Sequence, residues 1–170
     1  MSDLLDMVVS GLMERLGERA GEVVHNKMGT TMRVSLDAIP ATLDFLKNYK
    51  ECPFDLLSDI TAVDWSQWEE NTGLKGPPTR FTLLYNLYSI QTKERIFIEA
   101  AVSEGQKAPS ATRLYASANW AEREVFDMFG IKFSGHPDLK RIFLPEEFEY
   151  YPLRKEYPRT GYDPQDFPQE

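Results

Sequence analysis

Glu124 and Asp127 stand three residues apart, a spacing that on a helix puts both carboxylates on one face, and His136 follows a short way downstream. Two carboxylates and an imidazole are the residue types of an acid–base pair or of a three-ligand metal site. Nothing else in the chain supplies clear ligand spacing, and a plainer reading competes: Arg123 and Asp127, at i and i+4, form an ion pair on the helix surface. The single cysteine, Cys52, excludes a four-thiolate iron–sulfur cluster, a cysteine-rich zinc site and a disulfide. No glycine spacing matches the phosphate loop or the dinucleotide fingerprint. Gly135, Pro137 and Asp138 read as a turn in which His136 is a local hydrogen-bond donor.

These residues need elements to hold them. Residues 119–130 read as a short helix, with Asn119 as N-cap, Glu122 three residues on as in a capping box, and Gly130 as C-cap. Ahead of it, Leu5, Val8, Val9, Leu12 and Leu16 fall at helical spacing, with Gly17 and Gly21 to end the helix. Met32, Val34 and Leu36 alternate with polar residues as in a half-buried strand, and Asp37 then caps a second helix presenting Ile39, Leu43, Leu46 and Tyr49. Leu56 to Trp65 reads as a strand, and a polar loop with Pro77 and Pro78 follows. Residues 80–90 and 94–102 form the clearest hairpin, and Ile131 to Phe133 a short strand. The layout is α+β, a mainly antiparallel sheet packed by helices.

The 19 basic and 27 acidic residues give a net charge of −8, which disfavours nucleic acid and anionic lipid as partners. No stretch approaches the roughly 20 apolar residues of a membrane span, and the first residues lack a secretory signal pattern. Six of the 11 prolines lie in the last 34 residues, which leaves no room for regular structure there. That end nevertheless carries Phe143, Phe148, Tyr150, Tyr151, Tyr157, Tyr162 and Phe167, an apolar load that favours docking, more on a partner chain than on its own domain. The expected organisation is therefore an α+β globular domain over residues 1–134 and an extended partner-docking tail over 135–170.

From Asn119 to Pro158 the chain carries, in order, ERExxDMFGIxF, GHPDLxRIxLP and PLRKxYP, and upstream Asp59-Ile60-Thr61-Ala62-Val63-Asp64-Trp65. These stretches closely resemble the signature of the thirty-kilodalton, C-type subunit of respiratory complex I, the NADH:quinone oxidoreductase. Lys140, Glu156 and the Tyr150-Tyr151 pair depart from the common pattern. The resemblance implies a cofactor-free structural subunit of the peripheral arm of a proton-translocating enzyme. Electrons pass there from NADH through FMN and iron–sulfur clusters in partner subunits to quinone. It also implies a tail lying across the D-type subunit near the quinone pocket, and a peripheral position on the cytoplasmic side of the bacterial inner membrane, held only through the complex. No catalytic residue is expected in this chain. Arg123, Glu124, Asp127, His136, Asp138, Arg141, Arg154 and Lys155 carry over from the motif as partner-interface or fold-fixing residues. Two alternatives stand beside this one: the same scaffold in a ferredoxin- or hydrogenase-linked complex, and a stand-alone metal-dependent enzyme using Glu124, Asp127 and His136.

Overall fold

A computed structural model describes residues 3–27 and 29–161. Helix α1 (Asp3–Leu16) is followed by strands β1 (Ala20–Asn26) and β2 (Gly29–Val34), helix α2 (Ile39–Lys47), strand β3 (Leu56–Asp64) and the short helix α3 (Trp68–Thr72). The hairpin β4 (Phe81–Tyr88) and β5 (Arg95–Val102) comes next, then β6 (Ala108–Pro109), helix α4 (Ala118–Phe129) and β7 (Phe133–Ser134).

Five strands form one sheet in the order β1-β2-β5-β4-β3, antiparallel except for the parallel pairing of β2 with β5. The hairpin pattern is realised directly: Phe81, Leu83, Tyr85 and Leu87 point one way from β4, and Ile96, Ile98, Ala100 and Val102 the same way from β5, all fully or almost fully buried. Leu5, Val8, Val9 and Leu12 of α1 and Ile39, Leu43 and Leu46 of α2 complete this core. Helix α4 packs along β3, where the Ser117 hydroxyl ahead of the helix donates to the Leu57 carbonyl at 2.9 Å.

Several local expectations are corrected by tertiary contacts. Asp37 lies in a 3-10 turn, and α2 starts two residues later with Pro40 in its first turn and no side-chain cap. Asn119 sits inside α4, which begins at Ala118. Glu122 makes no capping box, because its side chain is fully buried and its Oε1 accepts the Ala111 amide at 2.6 Å. Gly21 lies within β1, a strand not expected from the sequence, so only Gly17 ends α1. The last short strand is Phe133–Ser134, paired in parallel with β6.

Residues 139–161 run over the body without helix or strand. Tyr162, Pro164, Phe167 and Pro168 of the aromatic, proline-rich end lie outside the described residues.

Candidate functional site

The residues of the motif converge where this returning segment crosses α4. Asp127, in the third turn of the helix, has no exposed side-chain surface. Its Oδ1 accepts from Arg141 Nη1 at 2.7 Å, and its Oδ2 accepts the successive amides of Ile142 (2.9 Å), Phe143 (2.7 Å) and Leu144 (3.2 Å). Burial pushes its pKa up, but these four donors outweigh burial and hold it below the usual carboxylate range. Arg141, 8% exposed, also donates to the carbonyls of Asp127, Phe148 and Tyr150. One buried ion pair therefore ties α4 to three points of the returning chain.

Arg123 does not pair with Asp127. Its Nε donates to the Lys140 carbonyl at 3.0 Å and its Nη2 to the Arg141 carbonyl at 3.2 Å, while its guanidinium lies 4.7 Å over the Trp120 ring. His136 Nδ1 accepts the Asp138 amide, so Nε2 carries the proton and donates to the Asn119 carbonyl, both at 3.0 Å. The Asp138 carboxylate meets Lys140 at 3.2 Å at the surface.

A second cluster fixes the segment further on. Arg154 donates from Nε to the Phe129 carbonyl at 2.7 Å and from Nη2 to Glu104 at 3.1 Å, with its guanidinium over Tyr151 and Phe81. Gly130, the C-cap of α4, has φ +75°, and a Cβ there would stand 2.7 Å from the Tyr151 ring and 2.8 Å from Arg154 Nη2. Only glycine meets both demands. Lys155 takes part through its backbone: its amide donates to Asp64 Oδ2 at 3.0 Å.

Sequence reasoning missed the partners of this second cluster. Arg80 donates to both Asp64 oxygens (3.3 and 3.0 Å), to Glu104 at 2.7 Å and to Glu156. Asp64 is buried, and Ser66 and Lys155 add amide donors; burial raises its pKa, but Arg80 and the amides overcome that and lower it. The available signal was an aspartate placed in phase with the inward-facing Ile60 and Ala62 of β3. Glu122 differs: burial raises its carboxyl to about 7, although hydrogen bonds from the Ala111 amide and Ser110 oppose the shift.

Glu124 stays apart from both clusters, exposed beside Asp59, Met128 and Leu153. The trio Glu124, Asp127 and His136 is not assembled as ligands, since Asp127 commits both oxygens to Arg141 and the three amides, and His136 commits both ring nitrogens to main chain. Among the described residues no group of three His, Cys, Asp or Glu side chains is placed to hold a metal ion. Nor is any described helix long and apolar enough to cross a membrane.

Residues 32–163 match the family model described as respiratory-chain NADH dehydrogenase, 30 Kd subunit. The C-type subunit of the NADH-quinone oxidoreductase of Trichlorobacter lovleyi is 45% identical over 141 residues, 82% of this chain and 81% of the relative. Its counterpart from Roseobacter denitrificans is 42% identical over 137 residues, and there the match spans 78% of this chain but 64% of the longer relative. Among solved structures, a trypsin-resistant fragment of Nqo5 superposes with a TM-score of 0.62 at 27% identity, over 79% of this chain and 98% of the fragment. With the match running across most of its length, the chain belongs to the 30 kDa subunit family of respiratory-chain NADH dehydrogenases.

Proposed function

We propose that this chain is a cofactor-free structural subunit in the peripheral arm of a proton-translocating NADH:quinone oxidoreductase, supporting electron transfer from NADH to quinone by positioning the subunits that carry FMN, iron–sulfur clusters and the quinone site. What carries the reading is the clasp: each charged group at its centre is saturated by main-chain and ion-pair partners within the chain. Such groups make a rigid surface, which is what positioning redox partners requires. Asp127 and Arg141 act in this reading as fold-fixing residues, and Arg123, His136, Asp138, Arg154 and Lys155 join them in holding the returning segment. Glu124 is left for the interface.

The body over residues 1–134 supplies the platform and the chain from 135 onward the docking tail, whose first part is clasped on α4 and whose end reaches the D-type subunit. The chain sits on the cytoplasmic side of the inner membrane, attached through the complex alone.

The test is isolation of the tagged chain from cells under native conditions. Recovery with subunits that carry flavin and clusters, while the chain expressed alone binds neither flavin nor iron, supports the assignment. Stoichiometric flavin, iron or another metal on the isolated chain, or NADH oxidation by it, contradicts the assignment.

A further inference from the structure

Only one of the two oxygens of Glu122 is used. Oε1 accepts the Ala111 amide at 2.6 Å, while Oε2, on a side chain with no exposed surface, has no hydrogen-bond partner among the described residues. A second buried polar atom is in the same condition: the Tyr85 hydroxyl, on a side chain that is also fully buried, bonds to nothing among those residues. Tyr85 projects from β4 on the core face, and α4, packed along the neighbouring strand β3, carries Glu122. The two groups feel each other, since burial raises the Tyr85 phenol and the Glu122 carboxylate raises it further.

No counter-charge reaches Glu122 among the described residues. The loop before α4 offers it the Ala111 amide and the Ser110 hydroxyl, and β4 offers the Tyr85 phenol. From β3 the inward residues are Leu57, Ile60 and Ala62, which are apolar, and Asp64, which is held by Arg80. The cations around α4 are engaged elsewhere: Arg123 on the carbonyls of residues 140 and 141, Arg141 on Asp127, Arg154 on the Phe129 carbonyl and Lys47 on the Leu114 carbonyl. Glu124 and Asp59 border an opening away from the core.

A carboxylate in this place would bury a full charge with hydrogen bonds alone to offset it. A carboxylic acid keeps the Ala111 amide and forms a neutral hydrogen bond with the phenol, in which one hydroxyl donates and the other oxygen accepts. That arrangement satisfies both orphaned atoms without a buried charge, and the upward shift of the carboxyl has the same origin in burial.

We propose that Glu122 and Tyr85 form a neutral hydrogen-bonded pair, carboxylic acid against phenol, which seats α4 on the sheet, and that loss of the carboxyl proton to water unseats the helix and loosens the clasp it carries. Asp127 lies on the same helix, five residues on, so the hold of α4 on the sheet and its hold on the returning segment are mechanically joined. The direction follows from linkage. The closed contact keeps the proton up to about 7, whereas an opened, solvated carboxyl gives it up near its ordinary 4.5. Opening therefore becomes easier as pH climbs between those values, and levels off above them.

The experiment uses the full chain with 13C-labelled glutamate carboxyls. The Glu122 signal, identified by its loss in Glu122→Gln, is expected to titrate above those of the exposed glutamates. Tyr85→Phe is expected to keep the wild-type circular dichroism and to move that midpoint. A Glu122 signal that titrates with the exposed glutamates overturns the neutral acid, and a midpoint untouched by Tyr85→Phe overturns the pair. Trypsin cleavage at Arg141 and Arg154, divided at each pH by the rate on Glu122→Gln, is expected to rise several-fold between about pH 5 and about pH 8. A constant ratio overturns the link between the pair and the clasp.

Discussion

Replacing Asp127 with Asn changes the shape of the side chain little, and its cost follows from what the carboxylate holds. Four N–H donors converge on its two oxygens, one from Arg141 and three from the amides of residues 142–144. Asn offers one oxygen and one NH2 group, so whichever way it turns, donors face donors. If the oxygen keeps the three amides, the NH2 group points at a guanidinium that is 8% exposed and has lost its counter-charge. If the oxygen keeps Arg141, three amides lose their acceptor. A buried donor left without a partner costs about 1–3 kcal/mol, and breaking a buried ion pair about 3–5 kcal/mol. Arg141 retains its carbonyl partners, which places the expected loss at the lower part of that range, about 3–4 kcal/mol. Urea unfolding of the full chain, followed by tryptophan fluorescence, reads this directly. At a slope of about 2 kcal/mol/M the midpoint falls by about 1.5–2 M. The clasp should open before the sheet, so trypsin should cut sooner at Arg141 and Arg154. A loss under about 1 kcal/mol with unchanged proteolysis would refute the claim that Asp127 holds the segment on α4.

Three further outcomes follow from the same geometry. Glu122 titrates near 7 in the folded chain against an ordinary 4.5, so between those values the native state keeps a proton that the unfolded chain releases. Stability should therefore decline as pH rises through this window, by on the order of 3 kcal/mol at full ionisation, and Glu122→Gln should flatten that decline in pH-dependent urea titrations. Asp127 and Asp64 have the opposite sign: their lowered pKa values contribute stability above the ordinary carboxylate range, to be lost as pH falls through the folded values, which acid titration monitored by circular dichroism will show. Gly130→Ala combines a left-handed backbone with a Cβ driven into Tyr151 and Arg154, and calorimetry should register a loss above about 2 kcal/mol.

The sheet was legible wherever its pattern is local. The alternation in β4 and β5 marks the hairpin, and Gly130 marks the end of α4 by its position after an amphipathic turn. Pairing β2 in parallel with β5 was not legible, because their partnership depends on a crossover through α2, β3 and β4 rather than on either strand's own residues. Strand β1 carries little signal because Gly21 breaks its pattern and its hydrophobic content is small. At the site, local spacing misled twice. Arg123 and Asp127 have the separation of a helical pair, yet each finds stronger partners in residues 140–144, where amides and a buried guanidinium offer more than a surface ion pair. Glu122 has capping spacing, but the fold turns it into the core. Reading how Asp127, Arg141, Arg123 and Arg154 pair required knowing that the chain returns over α4.

The central claim is that these motif residues serve architecture and not chemistry. It is tested most directly by replacing the native chain in cells with Asp127→Asn or Arg141→Lys and measuring two quantities in the same membranes: the amount of assembled oxidoreductase and its NADH:quinone turnover per assembled complex. The account predicts less assembled complex, with the turnover of what does assemble unchanged. Full assembly with turnover lost would contradict it.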